Sequence, residues 1–177
     1  MNRYFLAIIS PEPIASQISD IKQHFLNEYG SKGALRSPAH LTLHMPFEWK
    51  EAKEHKLIEL LAQTTKCNPF QIKLNGFGAF PPKTILIKNE PCEELIDFQS
   101  NLANYTKRNM QLFNPTHNRG YNPHITVAFR DLKKEAFVKA WQEFETKDFK
   151  ATFEVDTFWL LKHDGKVWKA FKEFELS

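Results

Sequence analysis

The sequence predicts an α+β fold made of two duplicated β-α-β-α-β units with antiparallel-rich sheets. Three observations carry this. Apolar periodicity switches between strand and helix spacing, and the alternation starts over midway through the 177 residues. A tetrapeptide of the form His-x-Thr-apolar opens the middle strand of each unit, as His40-Leu41-Thr42-Leu43 and His124-Ile125-Thr126-Val127, 84 positions apart. Two strand-to-strand joints, at Pro81-Pro82 and Asp164-Gly165, are too short for parallel crossovers and favour hairpins.

The elements follow in order. Tyr4–Ile9, rich in aromatic and β-branched residues and stopped by Pro11 and Pro13, predicts a buried strand. Ile14, Ile18, Ile21, Phe25 and Tyr29 recur at helical spacing, and Gly30 closes that helix. His40–Phe47 alternates as a strand. Glu51–Gln63, with Leu57, Leu60 and Leu61, predicts a second helix, and Phe70–Phe80 a strand ended by Pro81-Pro82. The second unit repeats the order: strand Thr84–Lys88, helix from Cys92 to Met110, strand His124–Phe129, helix Lys133–Phe144, strand Ala151–Leu161. Lys166–Leu176, after Asp164-Gly165, is expected to close a hairpin. Residues 1–177 thus form a single domain, with one motif histidine in each of the halves 1–81 and 82–177. Neither half holds a complete site alone, and the 16 Phe are expected to be divided between two small cores.

At 42% hydrophobic and 25% charged residues the composition excludes disorder and collagen-like structure. Six Gly argue against a Gly-rich phosphate loop, and a net charge of +3 is too small for a tight nonspecific grip on a nucleic-acid duplex. The first apolar run is six residues long and meets Pro11, which fails as a signal peptide, and no run approaches the roughly 20 apolar residues of a membrane span. Cys67 and Cys92 lack metal or redox spacing and fit reduced thiols. The expectation is a cytoplasmic monomer that contacts no membrane.

Side chains two apart on a strand share a face. His40, Thr42 and His44 therefore point one way, with Leu41, Leu43 and Met45 opposite; His124, Thr126, Ala128 and Arg130 likewise oppose Ile125, Val127 and Phe129. Each strand offers an imidazole and a hydroxyl about 7 Å apart. With seven His and 17 Ser or Thr in 177 residues, roughly 0.7 matches to His-x-Ser/Thr arise by chance, so the bare motif is weak. Its placement is the signal. Both copies open an apolar strand, both follow a proline within two residues (Pro38, Pro123), and both fill the same slot of the repeat.

Paired His-x-Thr-apolar motifs half a chain apart, set in Ser-Pro-Ala-His and Tyr-Asn-Pro-His contexts, resemble those of the 2H phosphoesterase superfamily, which includes the RNA 2′,3′-cyclic phosphodiesterases also called 2′-5′ RNA ligases. The resemblance implies a bilobal, pseudo-two-fold, LigT-like fold whose motif strands face each other across a central cleft. It also implies that His40 and His124 are catalytic and that Thr42 and Thr126 hold the phosphate, with no cofactor and no metal. The chemistry fits such a pair. Opening a 2′,3′-cyclic phosphate needs a base on one side of phosphorus and an acid on the other, and imidazole serves either role near neutrality. Which histidine is the base stays open, as do the substrate, an RNA 3′ end or a small cyclic-phosphate nucleotide, and any joining or cleaving of 2′-5′ linkages.

Arg36, Arg119 and Arg130, three of the five arginines, lie within six residues of a motif histidine, and a guanidinium can hold phosphate bidentately. Strand parity gives Arg130 the best claim to phosphate, although relatives carry a basic residue one step earlier, where this chain has Phe129. The alternative for all three is an exposed or carboxylate-paired side chain. Tyr121, Phe47 and Phe80 are candidates to stack on a nucleobase, with core packing as the alternative. His40 and His44 sit about 13 Å apart on a strand, too far to share one metal ion. His24, His55, His117 and His163 read as ordinary helix or loop residues. The alternative function is a non-catalytic module of the same fold that binds nucleotides or RNA ends.

Overall fold

A computed structural model of the chain describes residues 1–115 and 119–177; His117 lies outside them. The elements are β1 (Asn2–Ile9), α1 (Ile14–Tyr29), β2 (His40–Trp49), α2 (Glu54–Leu61), β3 (Phe70–Phe80), β4 (Thr84–Asn89), α3 (Glu93–Met110), β5 (His124–Ala128), α4 (Lys134–Phe144), β6 (Lys150–Val155), β7 (Thr157–His163) and β8 (Trp168–Glu175). The helix predicted over Glu51–Gln63 is α2 flanked by the 3-10 turns Glu51–Lys53 and Ala62–Thr64. Helix α1 ends where Gly30 turns left-handed at φ 69°, with the Gly30 amide donating to the Leu26 carbonyl and the Ser31 amide to that of Phe25.

Two antiparallel four-stranded sheets result, one in the order β2-β1-β7-β8 and one in the order β5-β4-β3-β6. The hairpin expected after Asp164-Gly165 is β7–β8: Gly165 takes φ 99°, and the Asp164 carboxylate accepts from the amides of Lys166 and Val167, both at 2.9 Å.

The sheets do not coincide with the halves 1–81 and 82–177. The tight turn at Pro81–Lys83 obliges β3 to lie beside β4, so β3 joins the second sheet, while β7 and β8 return to pair with β1. The single strand expected over Ala151–Leu161 is two strands in different sheets, β6 on β3 and β7 on β1, separated by the exposed Asp156. The burial alternation slips there, from Phe153 and Val155 before the aspartate to Phe158 and Leu160 after it.

The buried phenylalanines, Phe5 apart, are not divided between two cores. One continuous cluster spans both sheets and all four helices. Phe25 of α1 stacks on Phe144 of α4 at 4.6 Å between ring centroids, Phe144 meets Phe77 of β3 edge-on at 4.9 Å, and Phe158 of β7 stacks on Phe174 of β8 at 4.9 Å. Polar clamps add to this union. The Asp131 carboxylate accepts from the Ser31 hydroxyl (2.9 Å) and the amides of Lys32 (3.0 Å) and Gly33 (3.2 Å). A side chain at position 33 would bring its Cβ within 2.8 Å of the Phe129 carbonyl oxygen, so only glycine fits the close approach.

Candidate active site

Strands β2 and β5 are each an edge strand of their sheet and lie against one another, and their first residues are His40 and His124. The two histidines are held in the same way. Nδ1 of His40 lies 2.7 Å from the Pro38 carbonyl oxygen, and Nδ1 of His124 lies 2.7 Å from that of Asn122, each two residues upstream. A carbonyl only accepts, so Nδ1 carries the proton in both rings, and Nε2 of each neutral imidazole keeps a free lone pair. The prolines noted in sequence belong to this device: Pro38 supplies the accepting carbonyl, and Pro123 follows the Asn122 that does.

Removal from solvent disfavours the imidazolium and drives the His40 pKa down to about 4, against the opposing effect of the Pro38 hydrogen bond. The charges of Lys22 and His124 push it further down. Burial also lowers the His124 pKa. Each ring leans on a phenylalanine, His40 on Phe5 at 4.9 Å and His124 edge-on to Phe80 at 5.2 Å. Phe80 is 43% exposed and stands open beside His124.

In β2, Thr42 pairs with Ala7 as His40 pairs with Ile9, which puts the Thr42 and His40 side chains on one face of the sheet. In β5, Thr126 pairs with Leu86 as His124 pairs with Lys88, again on one face. Both threonines are half-buried, and neither hydroxyl has a hydrogen-bond partner among the described residues. The arrangement offers two basic nitrogens and two uncommitted hydroxyls on adjacent strands.

Strict alternation fails just beyond the motifs. A bulge between Leu6 and Ala7 pairings leaves Leu43 without a partner and turns His44 to the core side with Leu6, where it is 1% exposed and its Nδ1 lies 2.8 Å from the Met45 carbonyl. His44 therefore does not share a face with His40, and Met45 is exposed instead. A matching irregularity in β5 sends Ala128 to the core with Ile85. Strand β5 ends there, and Arg130 lies beyond it at φ 62°, exposed, its guanidinium over the Phe129 ring at 5.1 Å. Arg130 is thus not in line with His124 and Thr126. Arg36, in the 3-10 turn Gly33–Arg36, and Arg119 are also exposed, and among the described residues none of the three arginines forms an ion pair.

Tyr121 is half-buried against the core and donates from its hydroxyl to the Thr42 carbonyl at 2.8 Å; burial raises its pKa. Phe47 packs on the core beside Tyr4 at 6.0 Å and His44 at 5.4 Å. Side chains from α3 and the segment after it cover the outer edge of β2. Gln99 and Asn114 each donate to the Leu43 carbonyl at 3.2 Å, and the Asn114 amide oxygen accepts from the Met45 amide at 3.0 Å. These bonds tie β2 to α3 and the segment after it, and nothing in the local sequence around Gln99 or Asn114 signals them. The sequence reading passed over Lys22, although it falls on the Ile14-Ile18-Phe25-Tyr29 stripe of α1, where a cation is out of place.

The sequence profile of the 2′-5′ RNA ligase superfamily matches residues 10–167. The chain belongs to this superfamily. An RNA 2′,3′-cyclic phosphodiesterase from Archaeoglobus fulgidus is 24% identical over 185 residues, covering 98% of this chain and 99% of the relative. Among solved structures, E. coli LigT complexed with 3′-AMP matches with a TM-score of 0.74 at 23% identity, covering 99% of this chain and 98% of that one. A Thermus thermophilus protein matches with a TM-score of 0.70 at 21% identity, covering 98% and 97%. These identities speak for the fold, and the LigT-like α+β architecture expected from the sequence is the one observed. None of the helices among the described residues is long and apolar enough to cross a membrane.

Proposed function

We propose that the protein is a metal-independent phosphoesterase that hydrolyses a 2′,3′-cyclic phosphate at an RNA 3′ end or on a small nucleotide. The observation that supports this best is the matched pair of imidazoles, each with Nδ1 tied to a backbone carbonyl and Nε2 left free. One Nε2 takes a proton from water as its oxygen bonds to phosphorus. The other, protonated, gives its proton to the ribose oxygen whose bond to phosphorus breaks, and a phosphate monoester results. Thr42 and Thr126 donate hydrogen bonds to the non-bridging oxygens as charge builds on them. With the 5′-hydroxyl of a second RNA in place of water, the same proton transfers would form a 2′-5′ linkage, the 3′ oxygen taking the proton as its bond to phosphorus breaks. Two relatives lend support: one is named for the cyclic phosphodiesterase reaction, and the other was crystallised with 3′-AMP.

Incubation of the protein, with a chelator present, with 2′,3′-cyclic mononucleotides and with a cyclic-phosphate-ended oligonucleotide is expected to yield phosphate monoesters. Nucleotide binding without turnover would instead establish the non-catalytic module.

The pKa directions set the pH dependence. Catalysis needs one imidazole neutral and one protonated, a state most populated between the two pKa values. Burial lowers both below the ordinary 6.5 in the free protein. The maximum of kcat/KM is therefore expected below pH 6.5, with activity lost as pH rises and the acid gives up its proton. A bound phosphate anion favours the imidazolium, so the kcat profile is expected to peak at higher pH than that of kcat/KM. A kcat/KM maximum above pH 7.5 would contradict this.

A further inference from the structure

Lys22 is buried in the middle of α1, 3% exposed, on the stripe that carries Ile18 and Phe25 into the core. Its ammonium donates to the Ser37 carbonyl at 3.0 Å and has no carboxylate partner among the described residues. A buried cation is costly unless something of opposite charge meets it. Ser37 opens the turn Ser37-Pro38-Ala39-His40, in which the Pro38 carbonyl fixes Nδ1 of His40. The cation thus holds the backbone that holds the catalytic ring.

We propose that Lys22 is a positioning residue of this site whose unpaired charge is the built-in counter-charge for the phosphate held between His40 and His124. The proposal rests on the function proposed above. Two facts beyond the hydrogen bond support it. The Lys22 pKa falls to about 8 with burial as its cause, and no acidic group acts to restore it. The bond to Ser37 places the ammonium against the segment that leads into His40, three residues on, and its positive charge lowers the His40 pKa. The phosphate thereby gains a cation that never has to leave solvent when substrate binds, because it is already desolvated.

The test is Lys22→Met, which keeps most of the length of the side chain and removes its charge, with Lys22→Gln as a second variant that carries a neutral donor. Both are expected to weaken competitive inhibition by inorganic phosphate about tenfold. Both are also expected to raise the His40 pKa, read by imidazole NMR, and to move the acid limb of kcat/KM toward neutral pH. Lys22→Met is expected to unfold at a temperature no lower than the wild type, since it removes a buried charge. A purely structural lysine predicts the reverse pattern: lower melting temperature, unchanged phosphate inhibition, unmoved His40 titration. That pattern overturns the proposal. If the wild type neither turns over a cyclic phosphate nor binds phosphate, the function proposed above fails instead, and the counter-charge role fails with it.

Discussion

Alanine at His40 or at His124 is expected to lower turnover of a 2′,3′-cyclic nucleotide by about 10²- to 10⁴-fold, the usual contribution of a positioned acid or base. The two losses should be similar in kind, because the rings are held alike, by an Nδ1 bond to the carbonyl two residues upstream. They should not multiply. Acid and base act in one displacement, so the double variant is expected to fall little below the weaker single variant. Both positions open a strand, so backbone pairing of β2 and β5 should survive, and circular dichroism is expected to match the wild type. Near-wild-type hydrolysis by either folded variant would sink the two-histidine mechanism.

Phe25→Ala is expected to cost about 3–5 kcal/mol of stability, the range for deleting a buried aromatic ring. The ring is fully buried, stacked on Phe144 at 4.6 Å and 5.8 Å from Tyr29. Against a total of about 5–15 kcal/mol for an ordinary domain, this is a large fraction. It should show in urea as a lower midpoint with one transition retained, because Phe25 and Phe144 belong to a cluster shared by both sheets. Two separated transitions, or a loss below about 1 kcal/mol, would mean that the two sheets hold independent cores.

Most elements were legible because their signals are local. Helix α1 runs from Ile14 to Tyr29, as its apolar spacing and Gly30 indicate, and the Pro81-Pro82 and Asp164-Gly165 joints are hairpins. Partner choice was not local. Nothing within Phe70–Phe80 says that it leaves the first half for the second sheet; the short turn to β4 decides that. The break at Asp156 was visible only as a slip in alternation, from odd buried positions to even ones, inside a run apolar enough to pass as one strand. At the site, strand parity holds for the first three residues of each motif and fails once a bulge intervenes, which is why His44 and Arg130 depart from the faces expected of them. Tyr121 and Asn114 meet β2 across some 70 to 80 residues, a contact that only the folded chain reveals.

The crossing at Asp156 has a consequence for biosynthesis. When residues up to 155 have left the ribosome, every strand of the β5-β4-β3-β6 sheet is available, whereas the sheet bearing His40 has only β1 and β2. That two-stranded ribbon gains its neighbours only from β7 and β8, which follow all four strands of the other sheet along the chain, so the half of the candidate site translated first is the half finished last.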